Sequence, residues 1–438
     1  MQNNLFEYAI SQMTERFSCF QDIRTGANKT IKMKDIALSA FAVFFTQSPS
    51  FLEAQKVMRS NKGEDNAKSL FKIERIPCDN HIRNILDEVP ASEVFSLFPA
   101  VLNHPAMTKP VDDFRYLSDQ LLIALDGVRS FSSNNLSCPK CSTQTHSNGE
   151  TTYSHSMVSA TIVHPDKADV LPLIPSFIEP QDGHEKQDCE REASKRWMLG
   201  IGAQYAQLGA TLLGDDLYCC EPICKLAISR GFHFIFTCKP DSHKCLYEYV
   251  DSLEKGKGIT HVEKVVGTIK GRQCWRFRYV NGVPIKDGSK ALQVNWCEVE
   301  VLNLAGKRLY HNSFATDHTI TNDNVYEITR AGRTRWKTEN EHNNTLKNHG
   351  YHLEHNYGHG KNHLSQLLTI MILLAFLLHT ALNLTDESYR AICKHFSRQC
   401  FFNQLRTLLM YVYFASWTTL MAFMLTACTP PPKRKGKK

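Results

Sequence analysis

The sequence has little of what marks the extreme classes of protein. No segment repeats at a fixed period across its 438 residues, and low complexity is confined to the closing run Pro430-Pro-Pro-Lys-Arg-Lys-Gly-Lys-Lys438. Repeat and fibrous architectures are thereby excluded. Charge is not in excess: 22% of residues are charged and 42% hydrophobic, close to globular averages, so a long disordered chain is excluded too. The first residues, Met1-Gln-Asn-Asn-Leu-Phe-Glu7, lack a basic stretch followed by an apolar core, so no secretory leader is expected. Fifteen cysteines, an odd number at scattered spacings, do not form a disulfide framework. They predict a reducing compartment and mostly free, buried thiols.

What is present is enough for about three folding units at roughly 150 residues each. Lys and Arg number 51 against 44 Asp and Glu, a formal +7. Five of those charges lie in the tail Lys433–Lys438, leaving +2 for residues 1–432. Overall charge therefore permits an anionic partner without naming one, and the tail itself suits non-specific phosphate contact or a solvated end. One run, Leu408–Ala427, carries no charge for twenty residues, the length of a membrane span. Its Thr, Ser and aromatic content and the lack of a partner span predict a packing helix instead, with no membrane attachment. The shorter run Leu367–Leu378 predicts a buried core helix.

Residues 1–110 read as helical, with amphipathic stretches at Ile36–Phe45 and Ala91–Leu102 between polar breaks. Such a region could dock in a DNA groove or cap the next domain. After Pro110 the pattern turns to strands: Leu121–Leu125 ending at Asp126-Gly127, Thr151–Val163, and Val170–Ile178. A long helix is expected over His184–Leu208, a strand at Thr211–Gly214 ending at Asp215-Asp216, a helix at Pro222–Arg230 and a strand at Phe232–Thr237. This succession predicts an α/β layered domain. Between 240 and 330, segments at Val262–Ile269, Gln273–Val280 and Leu292–Leu304 are separated by Asn281-Gly282 and Asp287-Gly288, both hairpin signals. A mostly antiparallel insertion is expected there, followed by a polar helix from Thr334.

Two carboxylates, Asp126 and Asp215, thus fall at strand ends, where functional residues of open α/β sheets collect. Acids so placed can share divalent ions for phosphoryl chemistry, or each can cap the next turn. A third element is Arg335-Trp-Lys-Thr-Glu339-Asn-Glu341, which opens the polar helix.

An Asp after an apolar strand (LIALDG), Asp215-Asp216-Leu217-Tyr218 after another, a β-rich insertion and an R-W-x-x-E helix together resemble DDE transposases of the bacterial insertion-sequence type. The resemblance covers roughly residues 110–385. It implies an α/β fold: an RNase H-like mixed sheet with flanking helices, interrupted by a β-rich insertion and preceded by an N-terminal helical domain. The core would span 111–239 and 331–385, the insertion 240–330, and a C-terminal helical region with the basic tail 386–438. Asp126, Asp215 and Glu339 would hold two Mg²⁺ or Mn²⁺ ions, with Glu341 the rival to Glu339 and Asp216 the rival to Asp215. Two residues apart on a helix, Glu339 and Glu341 point about 200° apart, so only one can face the sheet.

Arg335 matches the family arginine expected to contact phosphate, and Lys337 and Lys347 lie around it. The family tyrosine falls on Gly332 and the family lysine on Leu346, one position before Lys347. Trp275 and Trp296 fall where relatives receive a flipped base, or pack in the insertion's own core. The resemblance implies metal-dependent cleavage and strand transfer at transposon ends. Water would attack first and a freed 3′-hydroxyl later. The partners would be double-stranded DNA, both ends and target, and a second copy of the chain, in a bacterial cytoplasm at the nucleoid. A metal-dependent nuclease of the same core and an inactive DNA-binding relative are the alternatives.

Two further clusters are visible. Cys138-Pro-Lys-Cys141 with His146 and His155 has the spacing C-x₂-C-x₄-H-x₈-H, which fits structural zinc or a turn with two free thiols. Six histidines (His342, His349, His352, His355, His359 and His363) crowd an Asn- and Gly-rich stretch that reads as a tight loop near DNA in preference to a metal centre.

Overall fold

The computed structural model describes residues 4–25, 29–180, 188–267 and 271–428. The basic tail lies outside the described residues, as do 184–187 of the expected helix and 268–269 of the expected strand.

Among the described residues twelve strands form one mixed sheet. In chain order they are β1 (Arg115–Tyr116), β2 (Gln120–Ser133), β3 (Ser142–Thr145), β4 (Thr151–Val163), β5 (Leu171–Pro172), β6 (Ser176–Ile178), β7 (Ala210–Gly214), β8 (His233–Thr237), β9 (Thr260–Val266), β10 (Gln273–Pro284), β11 (Gln293–Asn303) and β12 (Arg308–Thr316). The order across the sheet is β3-β4-β2-β7-β8-β12-β11-β10-β9, with β5 and β6 also on β4 and β1 on β2. At its centre β2, β7 and β8 run parallel, while β4 is antiparallel to β2. Leu121–Leu125 of β2 and the whole of β7 are buried, which is why they read as unbroken apolar runs.

Several boundaries differ from expectation. Asp126 lies within β2, which continues to Ser133 against β4, so the strand does not end there. The third strand is split into β5 and β6 across Leu173–Pro175, where Pro175 has no N–H for a ladder. The long helix is two, Glu190–Leu199 and Ala203–Gln207. Between them Gly202 presses so closely on Trp197 that a Cβ would sit 2.5 Å from its ring. Asn281-Gly282 is not a hairpin turn. It is a bulge inside β10, with Gly282 at φ +74° and its N–H donating to Asn295. The turn is made by the stretch containing Asp287-Gly288, where Gly288 has φ +117°.

The insertion is antiparallel, as its alternation predicts, but it has one strand more than the sequence signals gave. That strand, β12, pairs with β8 through Phe314↔Thr237, Ala315↔Phe236 and Thr316↔Ile235, so insertion and core share one sheet.

The N-terminal helices and the C-terminal region pack on a common centre, the helix Leu364–Thr385. The core helix expected at 367–378 thus has 22 residues and is buried along nearly all its length. The run 408–427 is not one helix: Arg398–Tyr411 ends there, Val412–Ser416 is non-helical, and Trp417–Thr426 begins at a Ser416–Thr419 capping box. Trp417 stacks on Phe6 from the first helix, with ring centroids 4.4 Å apart. All fifteen cysteines are free, and five are buried, fewer than expected.

Candidate functional site

The parallel pairing of β2 and β7 ends at Ala124↔Leu213. Two residues further on come Asp126, still within β2, and Asp215, just past the end of β7, level with each other where the parallel ladder stops. The third wall is the segment after the helix Val325–Arg333. There Thr338–Asn343 is wound as a π-helix before a short α-helix, Asn344–Asn348. Such wide turns recur at functional sites because they re-aim side chains.

From this turn Asn343 Nδ2 donates to Asp126 Oδ2 at 2.8 Å. Arg335 Nη1 lies 2.6 Å from Glu339 Oε1 and 3.7 Å from Asp126 Oδ1. Ser159, opposite Asp126 on β4, donates to the Asp126 carbonyl at 3.1 Å and lies 3.4 Å from Asn343 Oδ1. Asp215 Oδ1 accepts the Leu217 N–H at 2.8 Å, the turn that sets the Asp-x-x-Tyr spacing.

A fourth carboxylate, Glu190, completes the group. It opens the helix Glu190–Leu199 and accepts the buried Tyr218 hydroxyl at 2.8 Å. Gly127 makes room for it, since a Cβ there would sit 2.2 Å from Glu190 Oε2. Burial pushes the Asp126 carboxyl up to about 7. Arg335 opposes the rise, and the charges of Glu339, Glu190 and Asp215 add to it. Burial also raises Glu190, with the Tyr218 hydrogen bond opposing and Asp215 adding.

The two rivals are elsewhere. Asp216 accepts from the Lys239 N–H at 2.7 Å and from the Ser242 hydroxyl, with His243 Nε2 at 3.4 Å, so it ties a loop together. Glu341 lines a separate cavity with Asp169, His379, Asn383 and Arg390. Glu339 and Glu341 therefore do face apart.

Comparison with known proteins adds a likeness to solved structures. No protein-family model matches the chain, and no curated protein does. Among solved structures it is similar to the cryo-EM structure of the piggyBac transposase synaptic complex with hairpin DNA. The TM-score is 0.41 and the identity 10%, over 99% of this chain and 83% of that one.

Four side chains expected at a DNA surface have other surroundings. Lys337 is buried and donates to the carbonyls of His164 (2.7 Å), Pro165 (3.0 Å) and Lys167, so its ammonium is consumed in holding that loop. Lys347 pairs with Glu354 at 2.7 Å. Trp275 and Trp296 are buried: Trp275 packs on Phe277 and Tyr326, Trp296 on Tyr247 and under Arg278. Neither has a face for a base in this arrangement, because β10 and β11 turn them into the insertion's core. An exposed aromatic does lie beside Arg335. Trp336 is 40% exposed and lines a recess with Arg333, Arg335 and Tyr310.

Of the six histidines in the Asn- and Gly-rich stretch, His342 is buried, His359 and His363 are half-buried, and His349, His352 and His355 are exposed. His342 is buried against Phe376 and bonded to Asn343 Oδ1 at 2.9 Å, and burial pushes its pKa down to about 4. His363 Nδ1 lies 2.9 Å from Lys140 Nζ. Cys138, Cys141 and His155 do converge, but His146 stays on the surface, bonded to Thr152, and His359 takes the fourth place. Local spacing could not have found His359, which lies 218 residues from Cys141. Glu190 and Asn343 were missed for the same reason, as neither belongs to a local motif.

Proposed function

We propose that this chain is a DNA transposase of the insertion-sequence type, cutting and joining strands at transposon ends. The observation that carries the proposal is the meeting of Asp126, Asp215 and Glu339, from three distant segments, at the end of the parallel ladder with Arg335 between two of them. The central strands support an RNase H-like reading of the core. From β5/β6 through β4, β2 and β7 to β8 only β4 runs against the rest.

The donor set fits hard divalent cations such as Mg²⁺ or Mn²⁺. It is all oxygen, it is crowded with like charge, and a cation would relieve the opposition to ionising Asp126. Asp126, Asp215 and Glu339 would hold the metal, with Glu190 beside them. A pair of such ions supplies activation of the attacking oxygen and stabilisation of the leaving one. The chain's own residues orient this group: Asn343 fixes one Asp126 oxygen, and Arg335 offers a guanidinium to phosphate. Exposed Trp336 gives an unpaired base a surface to stack on. Double-stranded DNA and a second copy of the chain would complete the active assembly, at the nucleoid of a bacterial cytoplasm.

The test is strand cleavage and joining with Mg²⁺, on DNA carrying the sequences that flank the coding region. Wild type is expected to nick and join, and Asp126→Ala and Asp215→Ala to fall to background. Equal activity in all three proteins would sink the proposal. Cleavage without joining would point to a nuclease of the same core.

A further inference from the structure

A second cluster of ligating atoms lies at the far end of β2 and β4, outside the carboxylate group. Cys138 and Cys141 come from the knuckle between β2 and β3, His155 from β4, and His359 from the loop that precedes the helix Leu364–Thr385. Their ligating atoms converge on one point. Sγ of Cys138 and Sγ of Cys141 are 3.8 Å apart. His155 Nε2 is 3.4 Å from Cys138 Sγ and 3.5 Å from Cys141 Sγ. His359 Nε2 is 3.4 Å from Cys141 Sγ and 3.2 Å from His155 Nε2.

These edges can be compared with those a zinc ion imposes. With Zn–S near 2.3 Å and Zn–N near 2.0–2.1 Å, a tetrahedron has S···S of about 3.8 Å, S···N of about 3.6 Å and N···N of about 3.3 Å. All five measured edges agree to within about 0.2 Å, the tolerance for a metal site. The tautomer is right as well. His359 Nδ1 lies 2.9 Å from the Gly360 carbonyl, which only accepts, so the proton sits on Nδ1 and Nε2 is left bare for a metal. The Phe131 ring covers the site, 4.6 Å from the His359 ring and 5.9 Å from that of His155.

We infer that Cys138, Cys141, His155 and His359 bind one structural zinc ion that ties the β2–β3–β4 extension to the loop between the Glu339 turn and the central helix. All four positions are filled by protein, which leaves no open site for substrate and makes the ion a staple. The loop bearing His359 is anchored from the other side too. Asp87 accepts the N–H groups of Lys361, Asn362, His363 and Leu364 at 2.8–3.1 Å. Lys140, between the two cysteines, reaches His363 and Gln366 at 2.9 and 3.0 Å. The zinc thus closes a junction that hydrogen bonds already pre-shape, and the assignment is independent of the function proposed above.

The full-length chain, purified without chelators from zinc-supplemented cells, tests this by elemental analysis. One zinc per chain is expected in wild type and in His146→Ala. Cys138→Ser and His359→Ala are expected to fall about tenfold or more. His359→Cys, which restores a fourth ligand, should retain zinc even if the alanine variant folds poorly. Replacing zinc with Co²⁺ should give the intense visible bands of a tetrahedral thiolate–imidazole site, shifted in His359→Cys. Zinc-free wild type, an octahedral cobalt spectrum, or full zinc in both Cys138→Ser and His359→Ala would overturn the inference.

Discussion

At the scale of single residues, the position of Asp126 has a consequence for stability that is separate from catalysis. Its carboxyl is pushed up to about 7 by burial and by three neighbouring acids, against Arg335. Without added divalent cations, the folded chain then holds a proton that the unfolded chain has lost, between the ordinary carboxylate range and pH 7. Stability contributed by this group is therefore present at low pH, declines as pH rises through that window and is gone above it. Asp126→Asn should flatten that decline and raise the melting temperature above pH 7 while abolishing cleavage. Added Mg²⁺ should raise the wild-type melting temperature there and leave the variant nearly unmoved. Melting curves across pH, with and without Mg²⁺, check both, and identical pH profiles would refute the placement. Glu339→Gln is expected to remove cleavage and Glu341→Gln to spare it, since only the first faces Asp126. Asp126 and Asp215 were legible because each follows a short apolar run directly, and Glu339 because Arg335 stands one helical turn before it. Glu190, Asn343 and His359 carry no local mark. They enter through tertiary contacts with Gly127, Asp126 and the cysteines, which a sequence pattern does not record.

At the scale of elements, β10 and β11 decide what their tryptophans do. Alternation along a half-buried strand sends every second side chain inward, and Trp275 and Trp296 fall on the inward set. Trp296→Ala should therefore cost about 3–5 kcal/mol, as buried aromatic deletions do. The measurement is denaturant unfolding of the full chain. Trp336→Ala should change stability by less than about 0.5 kcal/mol, as exposed substitutions do, and weaken binding to single-stranded or end DNA. The opposite pattern would return the base-stacking role to the insertion. The same elements show where strand reading succeeds and fails. Continuous apolar runs marked β2, β7 and β8, because burial on both faces leaves no other composition. Asn281-Gly282 misled because a bulge and a two-residue turn need the same left-handed glycine, and only the partner strand distinguishes them.

At the scale of the whole molecule, the N-terminal and C-terminal helices are held together around a helix that would suit a membrane. Leu364–Thr385 is long and apolar enough to cross a bilayer, yet 89% of its most apolar stretch is buried by protein. Hydropathy alone cannot separate these two solvents; the shorter run Leu367–Leu378 reads as a core helix from its length, and the helices packed around it supply the burial. Among the hydrogen bonds that tie those helices together, including Ser69 Oγ to the Phe414 carbonyl at 2.6 Å and the Lys62 N–H to the Met410 carbonyl at 3.1 Å, one buried amide makes three. Asn66 Nδ2 donates to the carbonyls of Leu409 (2.8 Å) and Val412 (2.7 Å), and its Oδ1 accepts the Phe414 N–H at 2.9 Å. Residues 412–416 need such a partner because they leave the helix within the body of the protein, where unpaired backbone groups are costly. Asn66→Ala should lower stability by about 1–3 kcal/mol through those orphaned groups. Asn66→Asp, nearly the same shape, should destabilise as well: it keeps the acceptor for Phe414 but sets a carboxylate against two carbonyls. Urea unfolding of the three proteins reads the difference. A neutral Asn66→Asp would refute a stabilising role for the two donors; a loss in both variants would identify those donors as part of the clamp.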